Sequence, residues 1–181
     1  MKLLENLKVL GIRVRTRRCI VGPQHTPRSI VSFPEASRIG LLYEDNETGR
    51  LLASNFCDQM RQQGKFTAML GHRTSERTSA NPISECVTLN SFDVWGRLRS
   101  TCAVEFLETC FDYLYHLDFA STALSDYALG LCRAKCRVGF YQNHRQHFYD
   151  VMVHLRQATN ESAIQVTQDT LHQLLKYTAA L

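Results

Sequence analysis

Residues 38–70 decide how the chain is read. Arg38-Ile-Gly-Leu-Leu-Tyr43 is a short apolar run, Leu51, Leu52, Asn55, Phe56 and Gln59 follow at helical spacing, and Phe66-Thr-Ala-Met-Leu70 is a second apolar run. Strand, helix and strand in that order form a βαβ unit, in which the helix returns the chain to the starting edge and the two strands run parallel. Gly64 supplies the left-handed residue that ends a helix easily. The alternation continues downstream. Residues 74–91, rich in Ser, Thr, Asn and Arg, read as a long excursion, and Phe92-Asp-Val-Trp95 as a short strand or turn. A helix near residues 100–109 leads into the strand Phe111-Asp-Tyr-Leu-Tyr-His-Leu117. Ser121 to Cys136 reads as a helix, Val138-Gly-Phe-Tyr141 and Tyr149 to Leu155 as strands, and Asn160 to Ala179 as a closing amphipathic helix.

The predicted fold class is therefore α/β, a three-layer sandwich around a mainly parallel sheet of Rossmann or flavodoxin type. Upstream, Leu3, Leu7, Leu10 and Val14 recur on one face of a helix from about residue 2 to about residue 18. Gly22, Pro23, Pro27 and Pro34 then make residues 20–37 a connector. This divides the chain into a basic helix and connector, residues 1–36, and a single α/β domain, residues 37–181, with the helix standing apart from the domain.

Charge is distributed unevenly over the 181 residues. The first thirty hold seven cations (Lys2, Lys8, Arg13, Arg15, Arg17, Arg18 and Arg28) against Glu5 alone, a net +6 in a chain of net +4, so the remainder carries −2. A basic arm on a mildly acidic body favours a polyanionic partner. Seven cysteines in apolar stretches read as reduced thiols, which places the protein in the cytoplasm. The opening apolar run is interrupted by Glu5 and Lys8 and lacks a cleavage site, and no stretch reaches the length of a transmembrane helix.

In a parallel sheet the residues just after the strands gather at the carboxyl edge and those just before them at the amino edge. The first set holds Glu44, Asp45, Asn46, His72, Arg73 and Asp118, joined by Asp93 and Trp95 if that segment is a parallel strand. Glu44, Asp45, Asp93, Trp95 and Asp118 are thus the candidate ligand edge. The second set holds Arg38, Arg61, Lys65, Arg133, Lys135 and Arg137, beside which the connector delivers the arm. Neither Gly-x-Gly-x-x-Gly nor a P-loop occurs, so no nucleotide cofactor is expected. His144 and His147 lack a partner pair for zinc and read as loop residues, and no metal or nucleophilic site is expected.

The chain also resembles a family of small Bacteroidota proteins catalogued as a domain of unknown function. The resemblance rests on the basic N-terminal helix, Ser37-Arg-Ile-Gly-Leu-Leu, Phe92-Asp-Val-Trp-Gly96, Phe111 to Leu117, Ala134-Lys-Cys-Arg-Val-Gly139 and Tyr149-Asp-Val-Met152. The long excursion and the His144/His147 pair depart from its pattern. The family implies a fold and no activity. From the residues, the leading expectation is a non-enzymatic RNA-binding protein, ribosome-associated, held by Lys2, Lys8, Arg13, Arg15, Arg17 and Arg18 with Lys135 and Arg137 assisting. The alternatives are a small Rossmann-like enzyme working at the carboxyl edge through Asp45 and Asp118, and a protein bound peripherally to an anionic membrane surface.

Overall fold

The computed structural model describes residues 2–21, 30–74, 86–118, 121–154 and 173–176. Its centre is the strand β1 (Arg38–Glu44), followed by α2 (Glu47–Gln62) and β2 (Phe66–His72), which pairs parallel with β1 from Arg38↔Phe66 to Glu44↔His72. Asn46 caps α2 by accepting from the Gly49 N–H at 2.7 Å. The chain continues through β3 (Cys86–Val87), α3 (Thr101–Glu108), β4 (Phe111–His116), α4 (Ala123–Leu131), β5 (Ala134–Phe140) and β6 (Val151–Val153). The six strands form one parallel sheet in the order β3-β2-β1-β4-β5-β6. The order reverses between β1 and β4, the Rossmann arrangement, and at such a switch point the connections leave to opposite faces and open a crevice at the carboxyl edge.

Both faces of the sheet are covered, which is why β1 and β4 are apolar almost throughout. On one face Ile39, Leu41, Tyr43, Tyr113, Tyr115 and Val138 pack against Leu52, Phe56 and Met60 of α2, with Leu174 from the helical residues 173–176. On the other, Leu42, Leu70 and Leu114 meet Ala103, Phe106 and Leu107 of α3 and Leu124, Tyr127 and Ala128 of α4.

Several sequence expectations are corrected. The helix read over Ser121–Cys136 ends at Leu131, because Ala134, Cys136, Val138 and Phe140 alternate into the core as strand residues of β5. Thr122 starts that helix with a capping box shared with Ser125. The excursion contains β3, which is only two residues long and too short for a periodic signal. Phe92–Trp95, read as a short strand or turn, is a turn: Phe92 bridges Leu98 in antiparallel sense, so Asp93 and Trp95 do not join the parallel sheet. The closing helix is described only at residues 173–176, and the rest of Asn160–Ala179 lies outside the described residues.

The largest correction concerns the N-terminal helix α1 (Lys2–Val21), which is docked rather than apart. Ile12 is completely buried and Thr16 nearly so, in the layer formed by α3 and α4. The docked face lies almost opposite the Leu3, Leu7, Leu10, Val14 stripe, all four of which are exposed. Small residues explain the choice. Gly11 lies so close to the 94–96 turn that a Cβ on it would sit 2.9 Å from the Gly96 nitrogen and the Trp95 carbonyl carbon. Gly96 itself has φ +70°, a conformation that glycine alone adopts without cost. Lys8 then ties the helix down by donating to the Leu89 carbonyl at 3.2 Å.

Candidate functional site

Three residues from two strand ends meet beside the switch point. His72 closes β2, His116 closes β4, and Asp118 follows β4 two residues later, all three buried. Both rings turn Nε2 toward the same carboxylate oxygen, Asp118 Oδ2; the His116 contact is 2.8 Å. The other carboxylate oxygen accepts from the Glu44 N–H. His116 Nδ1 meets the Tyr149 hydroxyl at 2.7 Å, and His72 Nδ1 lies 3.5 Å from Thr122 Oγ1. Gly139 makes the Tyr149 position possible, since a Cβ there would sit 2.4 Å from the Tyr149 ring. Burial lowers the His116 pKa, against the opposing pull of the carboxylate, and so favours a neutral ring. Burial would raise the Asp118 pKa, yet the two imidazoles outweigh it and hold the carboxyl well below its usual range. The three potential donor atoms lie within 4.8 Å of one another.

The other residues of the expected ligand edge serve the structure. Asp45 is buried and accepts from Arg50 Nε at 2.5 Å and from Arg73. Burial pushes its pKa up, and these guanidinium bonds bring it below the ordinary value. The Glu44 carboxylate accepts from the Asn46 side chain at 3.1 Å. Asp93 accepts from the N–H groups of Trp95 and Arg97 at 2.9 and 2.8 Å and thereby builds the turn, while Trp95 is exposed. The one cavity described beside His72, which Leu42, Val87 and Tyr127 also line, has a volume of about 10 Å³. That is room for one water at most.

The amino edge is similarly engaged. Lys65 is buried and donates to the carbonyls of Phe33 and Ala36 at 2.8 and 2.6 Å. Lys135 pairs with Asp112 at 2.8 Å. Arg137 is buried inside β5 and donates to the Cys132 carbonyl at 3.0 Å. Arg38 lies over the Phe66 ring, Arg61 pairs with Asp58 at 3.4 Å, and Arg133 is exposed.

The exposed cations of α1 are instead at the opposite edge. Arg13 and Arg17, one helical turn apart, line a groove of about 570 Å³ together with His144, Arg145 and His147 from the loop after β5 and Ser121 at the start of α4. Leu10, Val14 and Phe148 supply its apolar surface, and its acid, Asp126, is bonded to Arg145. Arg145 is held further by Gln142 at 2.9 Å and lies over the rings of Phe148 and Tyr149. His144 has φ 68° and is exposed, as is His147. Of the other arm cations, Arg18 is exposed, Arg15 turns toward Tyr127 and Lys8 is engaged as above. Lys2 opens α1, and its side chain lies outside the described residues.

Sequence reasoning placed His72 and Asp118 at the carboxyl edge and missed His116. The signal was present: Leu-Leu-Tyr-Glu-Asp, Ala-Met-Leu-Gly-His and Leu-Tyr-His-Leu-Asp each end an apolar strand in polar residues. Within Phe111–Leu117, however, His116 reads only as a strand residue.

None of the seven cysteines is in a disulfide. Among the described residues no helix is long and apolar enough to cross a membrane. No curated protein and no solved structure matches the chain significantly. A family match spans residues 20–178, from the end of α1 through the whole sheet, and by that match the chain belongs to a family of unknown function, DUF6913.

Proposed function

We propose that the protein is a non-enzymatic RNA-binding protein whose site is the groove between α1 and the loop after β5. One observation supports this above the rest: Arg13 and Arg17 project from a docked helix into a groove faced by His144 and His147 and lined by Leu10, Val14 and Phe148. Paired guanidinium groups neutralise successive phosphates, and an apolar floor with one aromatic ring accommodates an unstacked base. Docking fixes the spacing of the two arginines before RNA arrives, which lowers the ordering cost of binding. Lys135 and Arg137 have no part in this reading, because Asp112 and the Cys132 carbonyl engage them. A structured cellular RNA, ribosomal RNA foremost, is the proposed partner, in the cytoplasm where free thiols persist.

The test is the salt dependence of binding to a structured RNA. Each phosphate contacted contributes a slope of about −0.7 to −0.9 in log K against log salt, so Arg13→Ser with Arg17→Ser flattens the slope by about 1.4 to 1.8. Arg61→Ser, on the other edge, leaves it unchanged. A slope indifferent to Arg13 and Arg17 refutes the proposal.

A second reading is favoured by a separate observation, the exposure of Leu3, Leu7, Leu10 and Val14 beside these arginines. A basic helix with an outward apolar face suits an anionic membrane surface. Flotation with anionic liposomes that is lost on Leu7→Gln with Leu10→Gln supports that reading, and absence of flotation removes it.

A further inference from the structure

The geometry points to a divalent transition-metal site formed by His72 Nε2, His116 Nε2 and Asp118 Oδ2. Two imidazole nitrogens and a carboxylate oxygen form the donor set that suits ions such as Zn²⁺, Fe²⁺ or Co²⁺, whereas Mg²⁺ and Ca²⁺ favour oxygen-only sets. The three atoms already converge within 4.8 Å. Around a tetrahedral ion with bonds of about 2.1 Å the donors would stand roughly 3.4 Å apart, a spacing reached by small rotations of two rings and one carboxylate.

What separates this cluster from an ordinary buried hydrogen-bond group is how its outer atoms are used. Each prospective ligand turns one atom inward and has the other next to a partner: His116 Nδ1 with the Tyr149 hydroxyl, His72 Nδ1 near Thr122 Oγ1, and Asp118 Oδ1 with the Glu44 N–H. Outer partners of this kind fix ring orientation and tautomer at metal sites. The partners come from three places in the chain, the end of β1, the cap of α4 and the segment just before β6, where the Tyr149 ring packs on Gly139 near the end of β5. The ligands themselves lie at the ends of β2 and β4, the strands on either side of β1, in the middle of the sheet. Burial of all three excludes competing bulk water, and the ion would clamp the two halves of the sheet where their order reverses, with its fourth position left to a water.

The experiment uses the full-length protein, stripped with a chelator and titrated with Zn²⁺ alone and with Co²⁺ alone. One ion per chain is expected, with a rise in Tm on loading and, for Co²⁺, visible absorption of a low-symmetry site. His116→Gln and His72→Gln are each expected to weaken binding at least a hundredfold, and Tyr149→Phe, which removes only an outer partner, about 10–100-fold. Histidine ring ¹⁵N spectra of the unmutated protein give the answer should a variant not fold: Zn²⁺ must shift two Nε2 resonances. Absence of stoichiometric binding, unchanged affinity in His116→Gln, or shifts confined to rings other than His72 and His116 overturns the proposal.

Discussion

Gly11→Ala tests whether α1 is seated on the domain, and its sign alone decides. In a helix free in solution, alanine is better than glycine by about 1 kcal/mol, so the substitution stabilises an arm that stands apart. In the docked arrangement the new methyl meets backbone on the other side, 2.9 Å from Gly96 N and Trp95 C and 3.1 Å from the Val94 carbonyl oxygen. None of these is the movable tip of a side chain. Forcing a methyl into such a contact costs about 1–3 kcal/mol. Set against the helix-propensity gain, this leaves a net loss of about 0–2 kcal/mol, where an arm standing apart would gain about 1 kcal/mol. Gly96→Ala approaches the same contact from the other side and is worse. Its Cβ would sit 2.4 Å from the Gly11 carbonyl carbon at φ +70°, so a left-handed penalty of about 1–2 kcal/mol adds to the clash. Urea unfolding followed by far-ultraviolet circular dichroism measures both variants. Because α1 forms one wall of the groove, the proposed RNA binding should also weaken in Gly11→Ala, without removal of a charge. A Gly11→Ala protein more stable than the parent refutes the docking argument.

Two further predictions concern the connector and the amino edge. Asp112 is nearly buried, which pushes its carboxyl up, but the Lys135 ammonium and the N–H groups of Ser37 and Arg38 prevail and bring it to about 2 from 3.8. A depressed carboxyl stabilises the fold above its unfolded pKa, by about 2 kcal/mol here, and that contribution disappears as pH falls from about 4 to about 2. Asp112→Asn should lower stability at neutral pH by a similar amount and remove this step from an acid-unfolding curve. Lys65→Met leaves the buried Phe33 and Ala36 carbonyls without their donor and should cost about 2–4 kcal/mol in urea unfolding.

The sheet was legible because its strands obey the rule for parallel sheets buried on both faces: Ile39-Gly-Leu-Leu-Tyr43 and Phe111 to Leu117 are continuous apolar runs, and helical spacing intervenes between strands. β3 was not legible, since two residues cannot show a period. The α4–β5 boundary was misplaced because Cys132 and Cys136 continue the helical count set by Leu124 and Ala128, while Cys136 obeys the strand period with Ala134 and Val138. The docked face of α1 was misread for a more general reason. Hydrophobicity selects the leucine stripe, but close approach of two backbones selects small residues, and the docked face sets Ile12 alone beside Gly11 and Thr16, too little for a hydrophobic stripe. His116 was hidden in the same way, as a polar residue inside a strand whose use depends on Asp118 and on a neighbour two strands away.

The charge asymmetry takes a different form once the partners are assigned. Buried acids of the body are engaged where they stand: Asp45 is paired with Arg50 and Arg73, Asp112 with Lys135, and Asp118 is hydrogen-bonded by the two histidines. The amino-edge lysines and Arg137 are largely used in the same local way and contribute little outward field. The groove differs. Its acid, Asp126, is matched by Arg145, so Arg13 and Arg17 remain as the net charge of its described lining. A field from two arginines one turn apart is screened over about 8–10 Å at physiological salt. It therefore selects an anion that enters the groove over one that passes at a distance. On the proposed RNA-binding reading, the salt slope and its response to Arg13 and Arg17 therefore count the phosphates seated there.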